Sequence, residues 1–463
     1  MTIDGAPVEA ADTFDVMNPA TGEPFAQAPD CTRQQLGLAM ESAMAAYRTW
    51  RLDEQARRDA LLAAADALTA AVDDLAPVLT AEQGKPLADA RAEVLGCGVW
   101  LRYYAGLKIP GEVIQDDERA RIEVGRRSLG VVAAITPWNY PLTLASWKIA
   151  PALMAGNTMV LKPSPYTPLS TLAVGRLLSS ILPPGVLNVV SGGNELGAWM
   201  TAHPIPRKLS FTGSVATGKR VAASAVPDLK RMTLELGGND AAIVLDDADP
   251  AAIAEKLFWA AFRNSGQVCT AIKRVYVSEN IYDDVVAGLA EQARAVTVGD
   301  GAVAGTQLGP INNEPQYDRV SGLVTDAISR GAIAAAGGKP IDRPGYFFEP
   351  TILAGLGDGT PIVDQEQFGP ALPILSYRTV DEAVHRANAG NYGLCGSVWS
   401  ADADRAAEVA MRLECGTAWV NTHLALQPDQ PFGGAKWSGI GVENGPWGLE
   451  SFMEIQVLHQ AKK

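Results

Sequence analysis

Between residues 130 and 236, apolar runs of strand length alternate with helical patterns, and this rhythm leaves the chain few possible folds. The runs at 130–135, 157–162, 186–190, 208–211 and 231–236 read as buried strands. Helical spacing fills 168–182, 196–202 and 219–225 between them. Consecutive parallel strands need a crossover long enough to hold a helix, so the pattern predicts a parallel sheet covered on both faces. The order of its strands is not encoded in the pattern. A second α/β stretch begins near 237, with strands at 241–245 and 274–277 around a helix at 250–263, and continues to about 420. Upstream, 35–106 is rich in Ala and Leu with charges at helical spacing, and 55–72 is an amphipathic helix. Residues 111–114 and 120–124 alternate as a two-stranded ribbon, and the alternation at 449–459 predicts a strand added to another element. With 463 residues the chain exceeds one compact core; two α/β domains and a small β arm are expected.

The charge narrows the partners. A formal net charge of −14 repels nucleic acid and anionic membrane surfaces, so neither is expected as a partner. The acidic N-terminal segment lacks a basic-then-apolar leader, and no uncharged apolar run reaches the roughly 18 residues of a membrane span. The five cysteines are widely spaced without a CxxC pair, which argues against a disulfide framework and a structural zinc site and predicts a cytoplasmic location. The four histidines, His203, His385, His423 and His459, do not cluster, so no catalytic metal is expected.

Two local features carry chemistry. Gly213-Ser-Val-Ala-Thr-Gly218-Lys219 follows a strand and opens a helix, where backbone N–H groups stabilise phosphate. It fits most of a P-loop, but Arg220 stands where the magnesium-binding Ser or Thr is required, and it lacks the GxGxxG pattern. Cys269 lies in Asn264-Ser-Gly-Gln-Val-Cys269-Thr, where Gly266 lets backbone approach a substrate and nearby N–H groups are expected to lower the thiol pKa. Cys31, Cys97, Cys395 and Cys415 read as small buried hydrophobes.

Seven segments together resemble the aldehyde dehydrogenase superfamily: Pro137-Trp-Asn-Tyr-Pro, Leu161-Lys-Pro-Ser, Phe211-Thr-Gly-Ser-Val-Ala-Thr-Gly, Leu234-Glu-Leu-Gly-Gly, Gly266-Gln-Val-Cys, Glu366-Gln-Phe-Gly-Pro and Pro431-Phe-Gly-Gly. They follow the family's order over nearly the whole chain. The resemblance implies a Rossmann-type NAD(P)-binding domain (1–108 and 128–236), an α/β catalytic domain (237–447) and a β oligomerisation arm (109–127 and 448–463). It implies that Cys269 attacks the aldehyde carbon and that the Asn139 amide and the Cys269 N–H hold the oxyanion. Hydride then leaves to the nicotinamide, and Glu235, raised in pKa beside Leu234 and Leu236, assists water in cleaving the thioester to the free acid. Cofactor contacts are implied for Trp138, Lys162, Ser164, Gly213, Ser214, Glu366 and Phe368.

Many NAD-preferring members carry Glu three residues after the lysine that matches Lys162; here Pro165 stands there. NAD is expected, with dual use or NADP preference open, because the group that repels a 2′-phosphate is missing. The aldehyde tunnel is expected to be lined by Tyr140, Leu144, Trp147, Leu424, Leu426 and Phe432, suiting aliphatic, terpenoid or aromatic aldehydes. Arg263 offers an alternative, a semialdehyde whose carboxylate it pairs, and His423 sits at the same mouth. Other readings are a non-catalytic protein on this scaffold and a thiol esterase, the second leaving Lys162, Glu366 and the Gly213 turn unexplained. The expected assembly is a homodimer or homotetramer.

Overall fold

The computed structural model describes residues 1–462; Lys463, the last residue of the expected arm, lies outside them. The largest sheet has eight strands in the order Ala6–Pro7, Thr2–Ile3, Leu187–Val189, Thr158–Lys162, Val131–Ile135, Lys208–Thr212, Arg231–Glu235 and Gly439–Ile440. The five from Leu187–Val189 to Arg231–Glu235 are mutually parallel. Every residue of Thr158–Lys162 and Lys208–Thr212 is buried, as strands covered on both faces must be. The chain runs outward from Val131–Ile135 to Leu187–Val189, then returns to the opposite side at Lys208–Thr212. Reversal of strand order opens a crevice at the carboxyl ends of the two diverging strands, the place where open α/β sheets bind ligands.

The helices begin and end for local reasons. The helix expected at 219–225 starts a turn earlier, at Val215–Ala225, because Ser214 caps it by accepting a hydrogen bond from the Thr217 N–H. The helix expected to reach 182 stops at Leu178, and the turn that follows ends before Pro183, which disfavours helical geometry at Leu182. The long run at 55–72 is broken at Ala71 into Glu54–Ala70 and Val72–Gln83. Pro141–Met154 begins on a proline suited to its first turn and buries all but Thr143.

The second sheet has seven strands, ordered Ile333–Ala336, Thr351–Ala354, Ala371–Tyr377, Ile272–Ser278, Asp240–Val244, Cys395–Trp399 and Thr417–Val420. Only the Ile333–Ala336 pairing is antiparallel. The ribbon Glu112–Asp116 and Ala120–Ser128 gains Met453–Ala461 as a third strand, the addition expected from its alternation. Together these are a Rossmann-type cofactor domain, an α/β catalytic domain and a small β arm. The late segment Gly439–Ile440 crosses back to the first sheet, pairing Gly439 with Glu235. No helix among the described residues is long and apolar enough to cross a membrane.

Candidate active site

A cleft of about 640 Å³ opens at the sheet crevice. Trp138 and Asn139 enter it after strand Val131–Ile135, Gly213 and Ser214 after Lys208–Thr212, and Cys269, Glu366 and Phe368 from the catalytic half. Eight of the residues singled out from sequence, counting Leu144, thus meet on one surface although the chain separates them widely.

The nucleophile loop is shaped by three consecutive left-handed residues, Asn264, Ser265 and Gly266. A Cβ on Gly266 would stand 2.2 Å from the Gly369 carbonyl, so only glycine fits. Gln267 fastens the loop, donating to Asn264 O at 2.9 Å and accepting from Asn312 N–H at 2.8 Å. Its own carbonyl accepts from Asn139 Nδ2 at 2.9 Å, which ties the amide to the nucleophile loop. The Asn139 carbonyl accepts from Lys85 Nζ at 3.0 Å. Lys85 is itself paired with Glu93 at 2.5 Å, and Glu93 accepts the Leu142 and Thr143 N–H groups at the start of Pro141–Met154.

The expectation of a lowered Cys269 pKa is corrected by the structure. Burial pushes this thiol up to about 12, opposed by the Lys273 cation. Lys273 is buried and donates to the Val268 carbonyl on one side of Cys269 and the Ala271 carbonyl on the other. Cys395 lies in the same apolar cluster, but it is buried rather than at the cleft surface, and burial lifts its thiol well above the ordinary range.

Glu235 ends strand Arg231–Glu235 with both carboxylate oxygens buried and without a hydrogen-bond partner among the described residues. Burial raises its pKa well above the carboxylate range, Glu443 raises it further, and Lys148 opposes both. The raised pKa agrees with expectation, but its cause is tertiary burial together with Glu443, which lies far along the chain. Glu235 does not border the cleft directly.

On the cofactor side, Ser214 caps a helix whose first residues, Val215 and Ala216, border the cleft, and a helix start of this kind suits a phosphate. Glu366 accepts from Gly238 N–H at 2.9 Å, and a Cβ on Gly237 would lie 2.2 Å from its other oxygen. Trp138 and Phe368 meet edge to face at 5.3 Å. Lys162 and Ser164 are buried at the end of the neighbouring strand and do not border the cleft; burial brings the Lys162 ammonium down to about 8, and among the described residues its Nζ donates only to Pro163 O. A helix N-terminus, a buried ammonium with one weak acceptor, a carboxylate and an aromatic pair fit a nicotinamide dinucleotide.

On the opposite side, Leu144, Trp147 and Phe432 form an apolar cluster against which Tyr140, Leu426 and Cys269 pack. Trp147 contacts Phe432 edge to face at 5.3 Å and stacks on Trp100 at 5.6 Å. Arg263 and Leu424 are not in this cluster; with His423 they line a separate cavity of about 410 Å³. The charged residues behind the site, Lys85, Glu93, Lys148, Lys273 and Glu443, were not found from sequence. A signal existed for Lys148, the one charged residue in a predominantly apolar helix.

A switch-point crevice with a phosphate-binding helix end, facing a thiol and an anchored amide, defines a nucleotide-dependent oxidoreductase that works through a cysteine. A model of the aldehyde dehydrogenase family matches residues 7–458. The chain is 39% identical to glutarate-semialdehyde dehydrogenase of Pseudomonas aeruginosa, over 98% of this chain and 96% of that one. It is 40% identical to phenylacetaldehyde dehydrogenase of Pseudomonas fluorescens, over 96% and 92%. A point mutant of an aldehyde dehydrogenase from Bacillus cereus superposes with a TM-score of 0.98 at 34% identity, covering 100% of this chain and 96% of the other. Betaine aldehyde dehydrogenase from Staphylococcus aureus, solved in complex with NAD+, superposes with a TM-score of 0.96 at 34% identity, covering 99% and 94%. The chain belongs to the aldehyde dehydrogenase family and is an NAD(P)-dependent enzyme that oxidises aldehydes through a cysteine-bound hemithioacetal and thioester.

Proposed function

We propose that Cys269 is that cysteine and that the enzyme hydrolyses its thioester to a free carboxylic acid. The observation that carries the assignment is that Cys269 and Asn139 border one cleft with Glu366 and the Gly213–Ser214 turn, whereas Cys395 lies buried behind it. The Cys269 thiol loses its proton to water in the cleft and the resulting thiolate attacks the carbonyl carbon, which puts negative charge on oxygen that the Asn139 amide with the Cys269 N–H stabilises. When bound, the nicotinamide accepts the hydride released as that oxyanion collapses. Trp138, Gly213, Ser214, Glu366 and Phe368 hold the cofactor, with Lys162 and Ser164 reaching it from the adjacent strand end. Glu235 takes a proton from the water that cleaves the thioester; its raised pKa makes the ionised carboxylate a stronger base.

NAD is the preferred cofactor and NADP is also used, because Pro165 offers no charge against a 2′-phosphate. The wall of Tyr140, Leu144, Trp147, Leu426 and Phe432 suits an aldehyde with an apolar stem. Residues 1–108 and 128–236 form the cofactor domain, 237–447 the catalytic domain, and 109–127 with 448–463 the arm. Exposed Val113, Ile114, Ile455, Val457 and Leu458 give the arm an apolar surface, supporting a homodimer or homotetramer. The location proposed is the cytoplasm.

The test is spectrophotometric: formation of reduced nicotinamide with NAD and with NADP over an aldehyde panel, for the native enzyme and for Cys269→Ala and Cys395→Ala. Turnover lost only in the Cys269 variant is expected. Turnover retained there, or lost only in the Cys395 variant, overturns the assignment.

A further inference from the structure

The cofactor side of the cleft holds a cation that the contacts above leave unused. Val215, Ala216 and Lys219 all border the cleft, three positions on one face of helix Val215–Ala225. Lys219 is exposed, and its ammonium makes neither an ion pair nor a hydrogen bond with any described residue. Instead its Nζ stands 3.6 Å from the centre of the Trp437 ring. Neighbouring Arg220 does not border the cleft and donates to Thr217 Oγ1 at 3.1 Å. Arg319, the other cation in the lining, is already engaged, donating to the Glu366 carbonyl at 2.9 Å and to Gln365 Oε1 at 3.3 Å. Glu366 is the one carboxylate in the lining, and it accepts from Gly238 N–H. Lys219 is thus the uncommitted positive charge of the cleft, in a chain whose net charge is −14.

Helix geometry aims that charge at the helix start. A helical side chain leans towards the N-terminus of its own helix, so Lys219 covers the turn that holds Val215 and Ala216. It lies about 4.5 Å along the axis from Ala216, within the span of a lysine side chain. In that turn the N–H groups without a helical acceptor favour an anion. Trp437, by contrast, is a fixed rest. Its N–H donates to Asn391 O at 2.9 Å, and Ala435–Lys436 before it pairs with Tyr392–Gly393. Lys436 is held in left-handed geometry, its Nζ donating to Asn388 O at 2.7 Å. A ring that is 45% exposed holds an ammonium less strongly than a charge-assisted hydrogen bond to phosphate does, so a diphosphate can draw the lysine off it.

We propose that Lys219 binds the diphosphate of the nicotinamide dinucleotide, with Trp437 as its resting place when the cleft holds no anion. The inference rests on the dinucleotide reading of the same cleft and adds to it the group that neutralises the charge between the two nucleosides. The helix start supplies fixed dipoles there, and Lys219 supplies a full charge that moves.

The experiment is calorimetric binding of ADP-ribose and of adenosine, the second by competition, to the native enzyme, Lys219→Met, Lys219→Arg and Trp437→Leu. Lys219→Met should weaken ADP-ribose by about tenfold and leave adenosine unchanged. Lys219→Arg should retain most of the ADP-ribose affinity. Added salt should weaken ADP-ribose binding more in the native enzyme than in Lys219→Met. Trp437→Leu releases the lysine and should hold ADP-ribose affinity at the native level or raise it. Native affinity in Lys219→Met, or an equal loss for adenosine, overturns the proposal. A loss in Trp437→Leu as large as that in Lys219→Met also overturns it, since the two residues would then be a structural clasp. A native enzyme that binds neither ADP-ribose nor NAD overturns the proposal together with the cofactor reading, whereas binding of both with an unaltered Lys219→Met overturns the proposal alone.

Discussion

Lys148 Nζ lies 2.5 Å from a carboxylate oxygen of Glu443, both side chains are buried, and the charges of this pair act in opposite directions on Glu235. Lys148 also donates to Thr212 Oγ1 at 2.7 Å, and Thr212 pairs in register with Glu235 across the sheet. The carboxylate proposed as general base is therefore flanked by a buried ion pair that does not border the cleft.

Removing the Glu443 charge should lower the Glu235 pKa, because that charge raises it. In Glu443→Gln the acid limb of the thioester-hydrolysis profile should move to lower pH, and in Lys148→Met to higher pH. Single-turnover rates against pH measure the shift. Because Lys148→Met leaves a buried carboxylate unpaired, it should also lose about 3–5 kcal/mol of stability in denaturant titration. Opposite shifts, or none, would remove Lys148 and Glu443 from control of the base.

Glu235→Gln should slow hydrolysis far more than hydride release, giving a burst of reduced cofactor followed by a slow steady state. Rapid multiple turnovers in this variant would contradict the role.

With its pKa pushed up to about 12, Cys269 in the cofactor-free enzyme should be almost wholly a thiol at neutral pH. Its alkylation by iodoacetamide should climb by about tenfold per pH unit across the neutral and mildly alkaline range, without a plateau. Peptide mapping of the labelled residue against pH checks this. A plateau near neutrality would mean that the Lys273 cation outweighs burial.

Pro165→Glu should restore repulsion of a 2′-phosphate. The kcat/KM ratio of NAD to NADP should rise by about tenfold, one well-placed like charge being worth on the order of 1.4 kcal/mol. Parallel initial rates with the two cofactors measure the ratio.

The arm presents Ile455, Val457 and Leu458 to solvent. Val457→Glu should shift sedimentation towards the monomer while the circular-dichroism spectrum is retained. An unchanged mass would place the assembly surface elsewhere.

What could be read along the chain was whatever depends on neighbours in sequence. Strand–helix alternation, the capped glycine turn and the Gly266-Gln-Val-Cys269 segment are local, because period, turn geometry and motif spacing are properties of contiguous residues. From these came the layered α/β fold, the third arm strand and Gly213, Ser214 and Cys269 of the cleft surface, whereas Trp138, Asn139, Leu144, Glu366 and Phe368 were reached through the family resemblance. Strand order was not legible, since it depends on long-range closure, and that order creates the crevice. The polarity of the site was equally hidden. Lys148 and Glu443 meet across 295 positions, and Lys85 reaches Asn139 across 54, so no window of sequence pairs them. Cys269 shows the reason most directly: the nearby Lys273 cation favours the thiolate, but burial in the folded protein favours the thiol, and desolvation is the larger effect. Arg263 and Leu424 likewise part from the apolar wall because cavity boundaries are set by how whole elements pack, which residue type alone does not specify.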